Sequence, residues 1–294
     1  MIRSSQTDTD TLDDLVALAG VANQDRFSDV PTSREVHSPM AQGNINDWEA
    51  LPGGATDIGV GPDGHVWAVG GAGVPHYWES FSPPNPVLGD WPVAPPNDLQ
   101  DALRVAVGPD GLAWLVMIDG RIIRRVGTTF PGTGWVTLPG AATDIAIGAD
   151  GHVWTVGGGG VPHYWESFSP TDPTSGDWPV APPNNLQDAI RIAVGPDGLP
   201  WVVMSDGQIM QRTGTGFPGT AWVKFPGAAT DIGIGADYTL WIAGSDGAPH
   251  GWSWDDSDWI IQPGIAATSI SVAPDGQAWV IADQTYIYRW IAEG

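Results

Sequence analysis

HVWAVGGAGVPHYWESFSP, residues 65–83, returns 87 positions later as HVWTVGGGGVPHYWESFSP, residues 152–170, with only two of nineteen residues changed. The same offset carries Trp48 to Trp135 to Trp222, and Asp57 to Asp144 to Asp231. Self-similarity at a fixed period marks a repeat architecture. Each 87-residue unit is itself double. The pattern A-x-x-I/V-x-V/I-G-P/A-D-G, then three residues to a Trp, appears six times. Its aspartates are Asp63, Asp110, Asp150, Asp197, Asp237 and Asp275, at spacings of 47, 40, 47, 40 and 38. Its tryptophans are Trp67, Trp114, Trp154, Trp201, Trp241 and Trp279. Periods near 40 residues suit four-stranded propeller blades.

One copy shows how a blade is built. ATDIGVG (55–61) spaces small and β-branched residues as a strand, and Pro62-Asp63-Gly64 supplies a hairpin turn. HVWAV (65–69) reads as the second strand, PHYWES (75–80) as the third, and the stretch around Asp90-Trp91-Pro92-Val93 as the fourth. Forty Gly and 27 Pro leave little room for long helices. Trp-bearing outer strands are expected at Trp48, Trp91, Trp135, Trp178, Trp222 and Trp259. The first stands ahead of any inner strand, while the last copy ends at Trp290 without an outer strand. Residues 45–52 are therefore expected to complete the last blade, which removes an open sheet edge. The chain reads as all-β, a six-bladed β-propeller over residues 45–294 closed by its N-terminal strand. Residues 1–44 form an arm, in which TLDDLVALAGVA (11–22) has helical spacing and predicts a short helix.

The stretch W-x-x-L-P-G-x-A-T-D-I-x-I/V-G-x-D-G-x-V-W-x-V-G stands at 48–70, at 135–157 and, less perfectly, at 222–244. It resembles the tectonin repeat, and the resemblance covers roughly residues 47–290. ALRV (102–105) and AIRI (189–192) depart from it where ATDI would stand. The resemblance implies a lectin that recognises glycans on cell surfaces, although tectonin repeats also occur in adaptor proteins. Fold alone does not choose between these.

Composition narrows the field. Without Cys, neither disulfides nor thiolate metal sites are available. No apolar run is long enough to span a bilayer, so membrane insertion is not expected. A net charge of −23 with a single Lys argues against nucleic acid as a partner. Asp outnumbers Glu 29 to 5, and its place in the repeats points to turn chemistry. The N-terminus lacks the layout of a secretory signal, so cytoplasmic synthesis is expected, with non-classical release as the route outward. No nucleophile elbow, phosphate loop or metal-ligand spacing emerges, and neither enzymatic activity nor a cofactor is expected.

Four groups of residues remain as candidates. His76, Tyr77 and Trp78 recur as His163, Tyr164 and Trp165, with His250 and Trp252 as a divergent third copy. The Pro-rich connections 80–101 and 167–188 add Asn97 and Asn184, with Asp98, Gln100, Asn185 and Gln187, as groups able to address sugar hydroxyls. Trp254, in the acidic stretch SWDDSDW, stands outside the repeat and is a better candidate for an exposed aromatic than the other tryptophans. The innermost strands align Asp57, Arg104, Asp144, Arg191, Asp231 and Ser269. That order predicts a ring of alternating charge around the axis, structural or lining a polar channel, with Asp231 least neutralised because Ser269 removes a partner.

Two functions stay open. One is a lectin with repeated inter-blade or loop sites for glycans or surface polysaccharide. The other is a structural or adaptor propeller, held through residues 1–44 in a multi-protein assembly such as a phage-tail-like injection particle, or against a sister chain.

Overall fold

Small and β-branched residues in the repeated ATDI segments give short inner strands, and an aspartate at each following turn fixes the hairpin. In the computed structural model, residues 47–80, 88–96, 99–169, 171–172, 174–183, 186–283 and 285–291 are described. The arm with its expected helix, Asn97, Asp98, Asn184 and Asn185 lie outside them. At all six turns the aspartate Oδ1 accepts the N–H of the residue two positions on, at 2.9–3.2 Å. This local bond competes successfully with extended backbone and explains much of the aspartate excess. In the fifth turn Tyr238 stands where the others have glycine, at φ +66°.

The strands pair antiparallel in chain order. Asp57–Val60, Val66–Val69 and Pro75–Tyr77 form a three-stranded sheet, and Asp144–Ile147, Val153–Val156 and Pro162–Tyr164 form its counterpart. Ala102–Val107, Ala113–Met117, Arg121–Val126 and Gly134–Ala141 make a four-stranded sheet. From Ala189–Val194 onward seven strands are continuous, because Ala221–Ile234 pairs with Gln208–Thr213 through its first half and with Leu240–Gly244 through its second. The last sheet, here the terminal sheet, orders Trp48–Gly54, Tyr286–Trp290, Ala278–Ala282 and Ala267–Val272. Its two chain-distant members place Trp48 opposite Trp290.

The expected third and fourth strands of the first copy are interrupted. Pro75–Tyr77 ends before Trp78, and pairing resumes only between Glu79–Ser80 and Gly89–Asp90. Val93 then touches His76 as an isolated bridge, and Trp91 stands in no strand. The Trp165 copy repeats the break. The Trp78 ring lies against Trp91, 4.9 Å between centroids, and over Gly89, where a Cβ would come within 2.4 Å of it. The third copy makes the same ring contact, Trp252 on Trp259 at 5.1 Å, within an unbroken strand, Pro249–Ser253.

Tryptophan side chains join one sheet to the next. The indole N–H groups of Trp67, Trp154 and Trp241 donate to the carbonyls of Gly111, Gly198 and Gly276 in the following sheet, at 2.9–3.3 Å. Those of Trp91 and Trp178 donate to Pro52 and Pro139 in the preceding one, and that of Trp259 to Pro226 within the seven-stranded sheet, at 2.8–2.9 Å. The latter contacts account for the L/F-P-G stretch. Gly53, Gly140 and Gly227 sit at φ +89° to +98°, and a Cβ on any of them would come within 2.9 Å of the partner indole. Both kinds of contact start from alternate copies of the repeat, so the 87-residue pair is a physical unit as well as a sequence one.

Candidate functional site

Two arrangements gather the polar and aromatic residues. The first is axial. A cavity of about 80 Å³ is lined by all six expected ring residues, Asp57, Arg104, Asp144, Arg191, Asp231 and Ser269. Three carboxylates also tie neighbouring sheets, since Asp57 accepts the N–H of Val105 (2.7 Å), Asp144 that of Ile192 (2.8 Å) and Asp231 that of Ile270 (2.9 Å). Hydrogen bonds from backbone to carboxylate are strong and geometrically specific.

Around the ring the contacts are unequal. Arg104 Nη1 donates to Asp57 Oδ1 at 3.1 Å, whereas Arg104 Nε stands 3.8 Å from Asp144 and Arg191 Nε 3.6 Å from Asp231. Ser269 Oγ donates to Asp57 at 2.9 Å. Burial pushes the Asp144 carboxyl up to about 7 against the pull of Arg104 and Arg191. It pushes Asp231 up to about 6 against that of Arg191. Both carboxyls thus stand well above the ordinary carboxylate value. Asp231 accepts two backbone N–H groups, from Ile232 and Ile270, while Asp144 accepts one. Arg104, which burial alone would depress, is held above its ordinary value by Asp57 and Asp144.

The second arrangement is a junction between sheets, present in two matching copies. Tyr77 packs against Trp67 and Phe130 at centroid distances of 5.7 and 5.2 Å, and Tyr164 against Trp154 and Phe217 at 5.5 and 4.9 Å. His65, bonded through Nδ1 to Asp63 at 2.7 Å, stacks on Phe130 at 3.8 Å. His152, bonded to Asp150 at 2.6 Å, stacks on Phe217 at 3.7 Å. Leu99 and Leu186 pack into the same clusters, which brings the exposed neighbours Gln100 and Gln187 to their edge.

Beneath each cluster lies a guanidinium that the sequence reading missed. Arg125 and Arg212 are 0 % exposed. Arg125 donates to the carbonyls of Pro95, Pro131 and Gly132, and Arg212 to those of Pro182, Pro218 and Gly219. Each also faces an indole, Trp135 at 4.7 Å and Trp222 at 5.2 Å. Burial lowers both guanidinium pKa values. The available signal was RVGTTFPGT (125–133), repeated as RTGTGFPGT (212–220).

The remaining candidates are placed as follows. His76 and His163 direct Nδ1 at the carbonyls of Trp91 and Trp178, both at 2.8 Å, and so fasten the Pro-rich connection to the sheet. His250 instead meets the Asp246 carboxylate through Nε2 at 3.1 Å. Trp165 packs on Trp178 as Trp78 does on Trp91. Trp254, the candidate exposed aromatic, is half-buried against Trp252 and Phe225, and its N–H points to the Tyr238 carbonyl at 3.3 Å. Among the described residues, no group of three or more His, Cys, Asp or Glu is placed to hold a metal ion. No described helix is long and apolar enough to cross a membrane.

Comparison with known proteins gives the same architecture. Solved structures of similar fold include one of YCF48 bound to D1 peptide, with a TM-score of 0.55 and 17% identity over 87% of this chain and all of that one. Another is a streptogramin B lyase, with a TM-score of 0.53 and 14% identity over 83% of this chain and 97% of that one. Both are β-propellers, and at this identity the likeness speaks to fold alone. No curated protein matches the chain. The model of the Tectonin domain matches residues 19–245, and the chain belongs to the tectonin family.

Proposed function

We propose that the chain is a six-bladed propeller, closed by pairing of its first and last strands, that works without catalysis as a lectin for cell-surface glycans. Six repeated turns and the antiparallel pairing of Trp48–Gly54 with Tyr286–Trp290 support the architecture. The observation that carries the function is the duplication of one junction. Tyr77, Phe130 and His65 recur as Tyr164, Phe217 and His152 with matching contacts, each set beside a Pro-rich connection. Half-buried aromatic rings edged by amide side chains suit sugars, which offer apolar C–H faces and hydroxyl rims. At the third corresponding place Gly251 and Thr239 replace the tyrosine and histidine.

Sugar binding should therefore show two equal sites per chain, with affinity for multivalent surfaces coming from their fixed spacing. A glycan array with the full chain, then calorimetry on a bound glycan, tests this. Tyr77→Ala with Tyr164→Ala should abolish binding. Binding at one site unaffected by that pair, or no sugar bound at all, would shift the reading to an adaptor propeller working in a protein assembly.

A further inference from the structure

The residues that precede the axial ring have the opposite environment. Asp57, Arg104, Asp144, Arg191, Asp231 and Ser269 line the cavity, whereas Thr56, Leu103, Thr143, Ile190, Thr230 and Thr268, one position earlier, are all exposed at its entrance. In four copies a slip of strand register leaves this residue unpaired, at Leu103, Ile190, Thr230 and Thr268. The four threonine hydroxyls donate to the carbonyls of Val69, Val156, Ala243 and Ile281 at 3.1–3.3 Å. The entrance therefore offers methyl groups and two aliphatic side chains rather than free donors. Ile118 enlarges the apolar part, since its N–H donates to the Asp101 carbonyl, two residues before Leu103, at 2.8 Å. Ile118 is 72 % exposed, Leu103 40 % and Ile190 37 %. Three of the seven exposed large hydrophobic residues among those described thus gather at one end of the axis. Single exposed apolar residues are ordinary, but a cluster inside a polar rim marks a contact surface.

That rim is acidic. The N–H groups of Ile118, Ser205, Ser245 and Asp283 close four turns onto the segments that lead into the inner strands. These turns carry Asp119, Asp206, Asp246 and Asp283, and two of the segments carry Asp101 and Asp188; all six aspartates are exposed. Against them stand Arg121, bonded to Asp119 at 2.6 Å, and His250, which meets Asp246. Two such rims repel each other, which argues against a second copy as occupant and selects a cationic one. We infer that the axial entrance docks a basic segment of a partner protein, with an apolar side chain seated among Leu103, Ile118 and Ile190 and flanking Lys or Arg reaching the aspartates. Burial of the apolar group supplies affinity, and the rim supplies steering and salt dependence. The surface lies at the start of the inner strands, whereas His65 and His152 of the two junctions stand past their far ends. A docked segment leaves both junctions open, and the inference does not rest on the sugar reading.

Fluorescence anisotropy with the full chain in about 50 mM salt tests the surface. The probe is a labelled peptide, Lys-Arg-Leu-Leu-Arg-Lys, compared with a version of equal charge in which both leucines are serine. The leucine peptide should bind about tenfold more tightly or better. Ile118→Asp, at an exposed turn that tolerates change, should weaken it about tenfold even though the new charge is complementary, and should not weaken the serine peptide. Asp119→Lys with Asp206→Lys should weaken both peptides. Tyr77→Ala with Tyr164→Ala should bind the leucine peptide as wild type does, which separates this surface from the junctions. Equal binding of the two peptides, undiminished binding in Ile118→Asp, or no binding at about 1 mM overturns the inference. So does a concentration-dependent dimer that Ile118→Asp disperses, which would give the surface to a second copy.

Discussion

Two of the differences between the terminal sheet and the two sheets it resembles remove an arginine. Arg104 and Arg191 line the axis in the sheets beginning Ala102–Val107 and Ala189–Val194, where the terminal sheet has Ser269. Arg125 and Arg212 lie opposite Trp135 and Trp222, where the terminal sheet sets Trp290 opposite Trp48. The Trp290 and Trp48 rings are 5.0 Å apart, close to the 4.7 Å between Arg125 and Trp135. A planar group in contact with the outer-strand indole is thus shared, although Trp290 meets Trp48 edge-on, at 68° between planes. Charge enters only where a Pro-rich connection and an F-P-G-T turn supply carbonyls to receive it. The arginines hold loops; the tryptophan merely fills space.

The largest effect should come from separating the terminal sheet's two distant halves. Deleting residues 1–52 removes most of the strand paired with Tyr286–Trp290 and should abolish cooperative unfolding in urea, whereas deleting residues 1–40 should leave the midpoint nearly unchanged. Equal behaviour of the two would contradict the pairing. Next, exchanging the buried groups should fail in both directions. Trp290→Arg places a cation where no clamp of carbonyls waits, and Arg125→Met strips three carbonyls of their donor. Each should cost about 3–5 kcal/mol by denaturant titration. A neutral Trp290→Arg would show that the cation does not depend on the loops.

A smaller effect is expected from pH. Asp144, at about 7, and Asp231, at about 6, both lie above their ordinary 3.8, so the folded ring holds more protons than the unfolded chain between about pH 4 and pH 7. Their contribution to stability is therefore present in acid and lost as pH rises through that window. At about 1.4 kcal/mol per unit, Asp144 alone contributes on the order of 2–4 kcal/mol to the slope. Urea midpoints across the window should fall toward neutrality relative to Asp144→Asn. Identical slopes for the two proteins would refute the assignment.

Much of this was legible from periodicity. The 87-residue offset predicts the strand order, the ring residues and the unequal third copy, because each depends on residues at fixed register. What stayed hidden depends on burial and on loops. Arg125 reads as one cation in a basic strand until the Pro95 and Pro131 carbonyls fold around it. The surplus of carboxylate over guanidinium was visible as a count, yet the burial that raises Asp144 and Asp231 was not. The break at Trp78 is likewise absent from the alternation pattern, which is the same in the unbroken third copy.

The pairing of Trp48–Gly54 with Tyr286–Trp290 also sets a clock. Arg289 donates to Glu49 at 2.6 Å across 240 residues of chain. On a ribosome adding about 5–20 residues per second, the first strand leaves the tunnel and waits roughly 12–50 s before its partner is made. During translation it is an unmatched edge beside identical edges on neighbouring nascent chains. The chain must therefore be guarded longest at the end that is born first.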